Sequence, residues 1–138
     1  MFAVRFDGAE GDVTSTKQVL WRRQRSTPYV PSPLLYRDWL YFLNHYQGFL
    51  VRVDAKTGAE PQRPLRLEGM RAIYASPVAA AGRLYVTDRE GVTLVIDSET
   101  REVLARNALE DSFSASAALV GDAIYLRGQN WLYCLAAK

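Results

Sequence analysis

The sequence predicts an all-β fold built from repeated antiparallel sheets, and three observations carry that prediction. First, SPVAAAGRLYV at Ser76–Val86 echoes SPLLYRDWLYF at Ser32–Phe42, and a looser copy, SAALVGDAIYL, follows at Ser116–Leu126. The copies start 44 and then 40 residues apart, and each places a serine at the same interval before a tyrosine: Ser32 and Tyr41, Ser76 and Tyr85, Ser116 and Tyr125. That period belongs to arrays of supersecondary units that bury their apolar faces on their neighbours. Second, short apolar runs rich in β-branched and aromatic residues, suited to pleated and half-buried strands, alternate with turn-forming residues. Third, 49% hydrophobic and 23% charged residues is the balance of an ordinary globular domain.

Each copy resolves into strands. SPLLY, SPVAA and SAALV are followed by two-residue turns at Arg37-Asp38, Ala81-Gly82 and Gly121-Asp122, then by WLYFL, RLYV and AIYL, which together read as hairpins. After the polar loops NHYQG, TDREG and RGQN come third strands, GFLVRVD, GVTLVID and NWLYCLA. The turns DAKTG and DSETR lead to RPLRL and EVLARNAL; the second is helical by composition, but its length and position favour an outer edge strand. At the start, VRFDG (Val4–Gly8) matches VRVDA (Val51–Ala55), and KQVLWRR supplies an outer strand. Four antiparallel strands at this period make a β-propeller blade. The expectation is therefore one partial propeller over residues 1–138: the end of a blade at 1–25, full blades at 29–69 and 73–109, and a three-stranded last blade at 113–138.

Propellers typically close with about four to eight blades, so about three blades imply an incomplete ring. The remaining blades are expected on a companion chain or on a second copy. In the second case KQVLWRR of one copy would complete the last blade of the next to give a six-bladed dimer.

VDAKTG (Val53–Gly58) resembles the quinoprotein-type propeller repeat, A-x-D-x-x-T-G followed by a tryptophan four residues on, and the likeness extends over nearly the whole chain. It implies the C-terminal third or so of an eight-bladed propeller whose last blade is closed by an N-terminal strand. Gln62 and Ala105 stand where the docking tryptophan would fall, and Trp21 alone fits its role. The family contains quinone-dependent dehydrogenases, with calcium-binding carboxylates and adjacent cysteines, and non-catalytic members that act in outer-membrane assembly. It implies an exported, periplasmic or cell-envelope setting. Cys134 is the single cysteine, so the adjacent pair is missing and no cofactor is expected on these residues; pyrroloquinoline quinone and calcium enter only if the chain is part of a dehydrogenase.

Other chemistry is thinly represented. A net charge of +2 does not call for nucleic acid or anionic lipid. The opening MFAVRFDGAEGD lacks a basic n-region and is broken by Arg5 and Asp7, so it reads neither as a signal peptide nor as a membrane span. DGAEGD (Asp7–Asp12) has Ala9 and Gly11 where a calcium loop needs oxygen ligands, which makes it a turn. WRRQR (Trp21–Arg25) reads as a charged, solvated edge that discourages strand pairing. Cys134, within WLYCLA, is expected to be a buried or half-buried thiol. His45 has no companion ligand or orienting partner in sequence and reads as an exposed loop residue rather than a base.

Blade geometry places the loops between second and third strands on the same face as the connections to the next blade. That face gathers Tyr29, His45, Tyr46, Arg71, Tyr74, Arg89, Phe113, Arg127 and Gln129, and tyrosine and arginine are enriched where proteins bind partners. The sequence thus points to a non-enzymatic propeller segment acting as a scaffold or interaction surface. The alternatives are a fragment of a quinone-dependent oxidoreductase of the alcohol or sugar dehydrogenase type, or a propeller that binds carbohydrate or another small ligand.

Overall fold

The computed structural model describes residues 1–44 and 48–136, whose thirteen strands form four antiparallel sheets. β1 (Phe2–Val4) pairs with β2 (Val19–Arg22). β3 (Leu34–Tyr36), β4 (Trp39–Leu43), β5 (Phe49–Asp54) and β6 (Leu65–Arg66) follow in chain order in a second sheet. β7 (Val78–Ala80), β8 (Arg83–Thr87), β9 (Val92–Asp97) and β10 (Val103–Ala108) repeat that order, and β11 (Ala118–Val120), β12 (Ala123–Arg127) and β13 (Leu132–Ala136) form the fourth sheet. The expected sequence of two, four, four and three strands is what the chain forms. β10 is a strand despite its helix-forming residues, because its ladder to β9, from Val103↔Ile96 to Ala108↔Val92, satisfies its backbone.

The hairpin turns follow from local stereochemistry. Their first residues, Arg37, Ala81 and Gly121, take φ of +57°, +48° and +56°, the left-handed region that matches the twist of paired strands. The Asp-x-x-Thr turns are equally specific. Asp54 Oδ1 accepts from the backbone of Lys56 and Thr57 and from the Thr57 hydroxyl, while Asp97 Oδ1 accepts from the backbone of Glu99 and Thr100.

Period-two alternation then divides the core. In the second sheet Tyr41, Leu43 and Leu50 face the third sheet and join Leu84, Val86, Leu94 and Ile96 in one cluster. The opposite face packs Phe42, Val51 and Val53 with Met1, which precedes β1. A sheet covered on both sides is apolar on both sides, which is why WLYFL and GFLVRVD are nearly continuous apolar runs.

Beyond the third sheet the cover thins. Tyr41, Tyr85 and Tyr125 occupy equivalent positions opposite Leu34, Val78 and Ala118, yet they pass from fully buried through half-buried to exposed. Phe2, Leu132 and Leu135 are exposed on the two end sheets, as are Phe6 and Trp131 in the adjoining loops. Cys134 is exposed as well, contrary to expectation: it lies within β13 as anticipated, but nothing among the described residues covers that side of the sheet.

Candidate functional site

Two ends of the stacked sheets have different tasks. At the end carrying the Asp-x-x-Thr turns, the first sheet docks onto the second and the second onto the third. The Trp21 indole N–H donates to Ala55 O at 3.0 Å, and its ring lies flat against Gly58, where an added Cβ would fall 2.6 Å from Cδ2. Trp21 thus fills the docking role expected of it. At the next junction Arg101 replaces the glycine, and the Tyr41 hydroxyl donates to Ser98 O at 2.7 Å, the carbonyl equivalent to that of Ala55. Burial pushes the Tyr41 hydroxyl above its ordinary pKa against the opposing pull of Arg52, so it stays a donor at neutral pH.

Arg52 completes this junction, and sequence reading did not foresee it. Its guanidinium sits 4.5 Å above the Trp39 ring and donates to Ser98 O, Glu99 O and Gln62 Oε1. Gln62, which stands in the tryptophan position, therefore serves the arginine. WRRQR also departs from the expected solvated edge at Arg23, whose guanidinium meets Glu60 at 2.5 Å, mostly shielded, and lies over Phe42. The first sheet ends beside the second, so the charge is captured rather than hydrated.

At the opposite end lie the connections and the loops between second and third strands. Each connection is held by the loop or strand end of the blade it enters. Tyr29 N–H donates to Leu43 O, Arg71 N–H to Asp88 Oδ2, and Gln129 N–H to Ser112 O. Asp88 is fully buried and also accepts from Glu90 and Val92 N–H, making it the brace of its loop. In the fourth sheet Gly128 takes the equivalent position and Asp111, from the connection, supplies the carboxylate. A Cβ on Gly128 would lie 2.1 Å from Asp111 Oδ2, so only glycine leaves room. Asp111 accepts from the N–H groups of Ser112, Asn130 and Trp131 and from the Tyr133 hydroxyl. Burial works to raise its pKa, but these donors together hold the carboxyl below its ordinary value.

Of the residues expected on this face, Arg71, Tyr74, Arg89, Arg127 and Gln129 are exposed there, as is Tyr29. The structure joins Arg89 to Tyr74, its guanidinium carbon 5.8 Å from the ring centroid, and brings Arg89, Arg127 and Gln129 to one depression of about 510 Å³. Phe113 is a correction. It is fully buried against Tyr133, with ring centroids 5.7 Å apart, and is bridged to Gly128, so it supports the face and cannot touch a partner. His45 and Tyr46 lie outside the described residues. Among the described residues no group of three or more His, Cys, Asp or Glu is placed to hold a metal ion.

The sheets have the architecture of a β-propeller segment and resemble quinoprotein-like propellers in fold. BamB from Moraxella catarrhalis aligns with a TM-score of 0.64 at 18% identity, over 88% of this chain and 37% of that one. A europium-containing methanol dehydrogenase aligns with a TM-score of 0.60 at 13% identity, over 75% of this chain and 22% of that one. The chain thus spans between about a fifth and two fifths of the propellers it resembles, and at these identities the likeness is one of fold. No family model matches the sequence, and no curated protein does.

Proposed function

We propose that the chain is a non-enzymatic propeller segment serving as a scaffold, with a protein partner seated on the loop face. One observation carries this reading. Connections and loops from successive blades are fastened to one another by the fully buried carboxylate of Asp88, the half-buried carboxylate of Asp111 and backbone bonds, and this framework presents tyrosine and arginine outward. Rigid aromatic and arginine anchors are what protein interfaces use. Similarity to BamB together with the family resemblance favours a cell-envelope setting. No described helix is long and apolar enough to cross a membrane.

The exposed apolar residues of the end sheets fit a neighbouring blade, from a companion chain or a second copy. Kinship in fold to a methanol dehydrogenase supports a second reading, part of a quinone-dependent oxidoreductase. The residues described do not fit that cofactor or its metal: no carboxylate cluster forms, and the only cysteine is exposed on β13.

The test is a photo-cross-linking residue at Tyr74 and, separately, at Leu104 on the outer strand, in cells that make the protein. A discrete adduct from position 74 that Tyr29→Ala diminishes, with none from 104, is the expected result. Equal adducts from both, or from 104 alone, would move the interface to the outer strands. Stoichiometric binding of calcium and pyrroloquinoline quinone would favour the enzyme.

A further inference from the structure

We infer that the depression between the third and fourth sheets binds an acidic peptide segment, whose carboxylates are held by Arg89 and Arg127. This rests on the loop face being a protein-binding surface and specifies what it recognises. Arg89, Arg127 and Gln129 line the depression together with Ser112 and Ser114, so two cations stand among neutral hydrogen-bonding groups. Neither guanidinium has a carboxylate partner among the described residues, where the ion pairs are Arg23–Glu60, Arg37–Glu99, Lys56–Asp38 and Arg66–Glu68. Asp111, which packs against Gly128 in the same wall, has its oxygens occupied by backbone and tyrosine donors.

The site is also positioned. Arg89 O accepts from Phe113 N–H, the Gln129 N–H is tied to Ser112 O, and the Tyr74 ring flanks the Arg89 guanidinium. These bonds fix the origin of each long side chain, which lowers the ordering cost on binding. A small anion would remain hydrated here, because Arg89, Ser114, Arg127 and Gln129 are all exposed. An extended segment with two acidic side chains engages both guanidiniums at once, and arginine pairs with carboxylate through paired hydrogen bonds.

The experiment is an anisotropy titration of the chain with a fluorescein-labelled peptide of alternating glutamate and glycine, with glutamine and phosphoserine versions alongside. The glutamate peptide should bind, more weakly as salt rises, and the glutamine peptide should not. Arg89→Gln with Arg127→Gln should weaken binding about tenfold or more, the scale of hydrogen bonds to charged groups. Arg5→Gln with Arg25→Gln, removing the same charge elsewhere, should leave it unchanged. Equal loss in both double variants, tighter binding of the phosphoserine peptide, or no binding of the glutamate peptide would each overturn the inference. The adduct at position 74 would survive such a result if the loop face binds a partner by other chemistry, so the two failures are distinguishable.

Discussion

The backbone N–H of Ser32 donates to the hydroxyl of Ser76 at 2.9 Å, although 44 residues separate them. Ser76 N–H in turn donates to the Ser116 hydroxyl, also at 2.9 Å, 40 residues further on. The interval that marks the repeat in the sequence is thus a hydrogen-bonded ladder between the segments that lead into the first strands of successive blades. It explains why the serine persists in the third copy after the proline has gone. The loop face depends on this ladder and the docking contacts, because they set the blades side by side.

Trp21 and Gly58 should behave as one unit. Gly58→Ala combines a steric clash with a φ of +71° that alanine disfavours, so a loss of roughly 1–3 kcal/mol is expected in urea unfolding. Trp21→Ala in the Gly58→Ala background should remove most of the clash, leaving a total loss smaller than the sum of the two single changes. Additive losses would show that the two do not pack.

Acid should loosen the turns. Hydrogen bonds from Thr57 hold Asp54, and hydrogen bonds from Thr100 and Glu99 hold Asp97, below the ordinary carboxyl value. A depressed folded value means that these groups contribute stability above the unfolded pKa and lose it as pH falls through the lower folded one. The urea midpoint should therefore be level near neutrality and decline below about pH 4. Asp54→Asn with Asp97→Asn should flatten that decline; an unchanged acid slope would contradict the assignment.

Cys134 should react with a thiol reagent in the native protein at nearly the rate of an unfolded control, since it is exposed. If added blades or a second copy cover β13, the rate should fall as protein concentration or companion chain rises. Slow labelling of a dilute monomer would place the thiol in a packed core instead.

Much of this fold was legible because its signals are local. Two-residue turns, the Asp-x-x-Thr motif and apolar runs of strand length each act within a few residues, so strand number and order could be read. Trp21 could be assigned because the turn it meets repeats along the chain. What escaped reading arises between blades. Arg52 reads as a polar strand residue, and only the approach of Ser98, Glu99 and Gln62 shows why it is buried. Asp111 sits in a connection, and its kinship with Asp88 is visible only when Gly128 is seen to vacate the space. Phe113 looked like a loop aromatic because its cover, Tyr133, comes from a strand twenty residues on. Cys134 was misjudged for the opposite reason, since a strand residue is buried only where a further sheet covers it.

The most direct measurement of the account is amide hydrogen exchange, read residue by residue, in Ser76→Ala and Ser116→Ala. Adjacent blades in chain order predict that Ser76→Ala speeds exchange at Ser32 and that Ser116→Ala speeds it at residue 76, each by about fivefold for the loss of one hydrogen bond. Neither change should reach across two blades, from Ser116→Ala to Ser32. Unaltered exchange at Ser32 in Ser76→Ala would contradict the ladder, and with it the side-by-side blades on which the loop face is built.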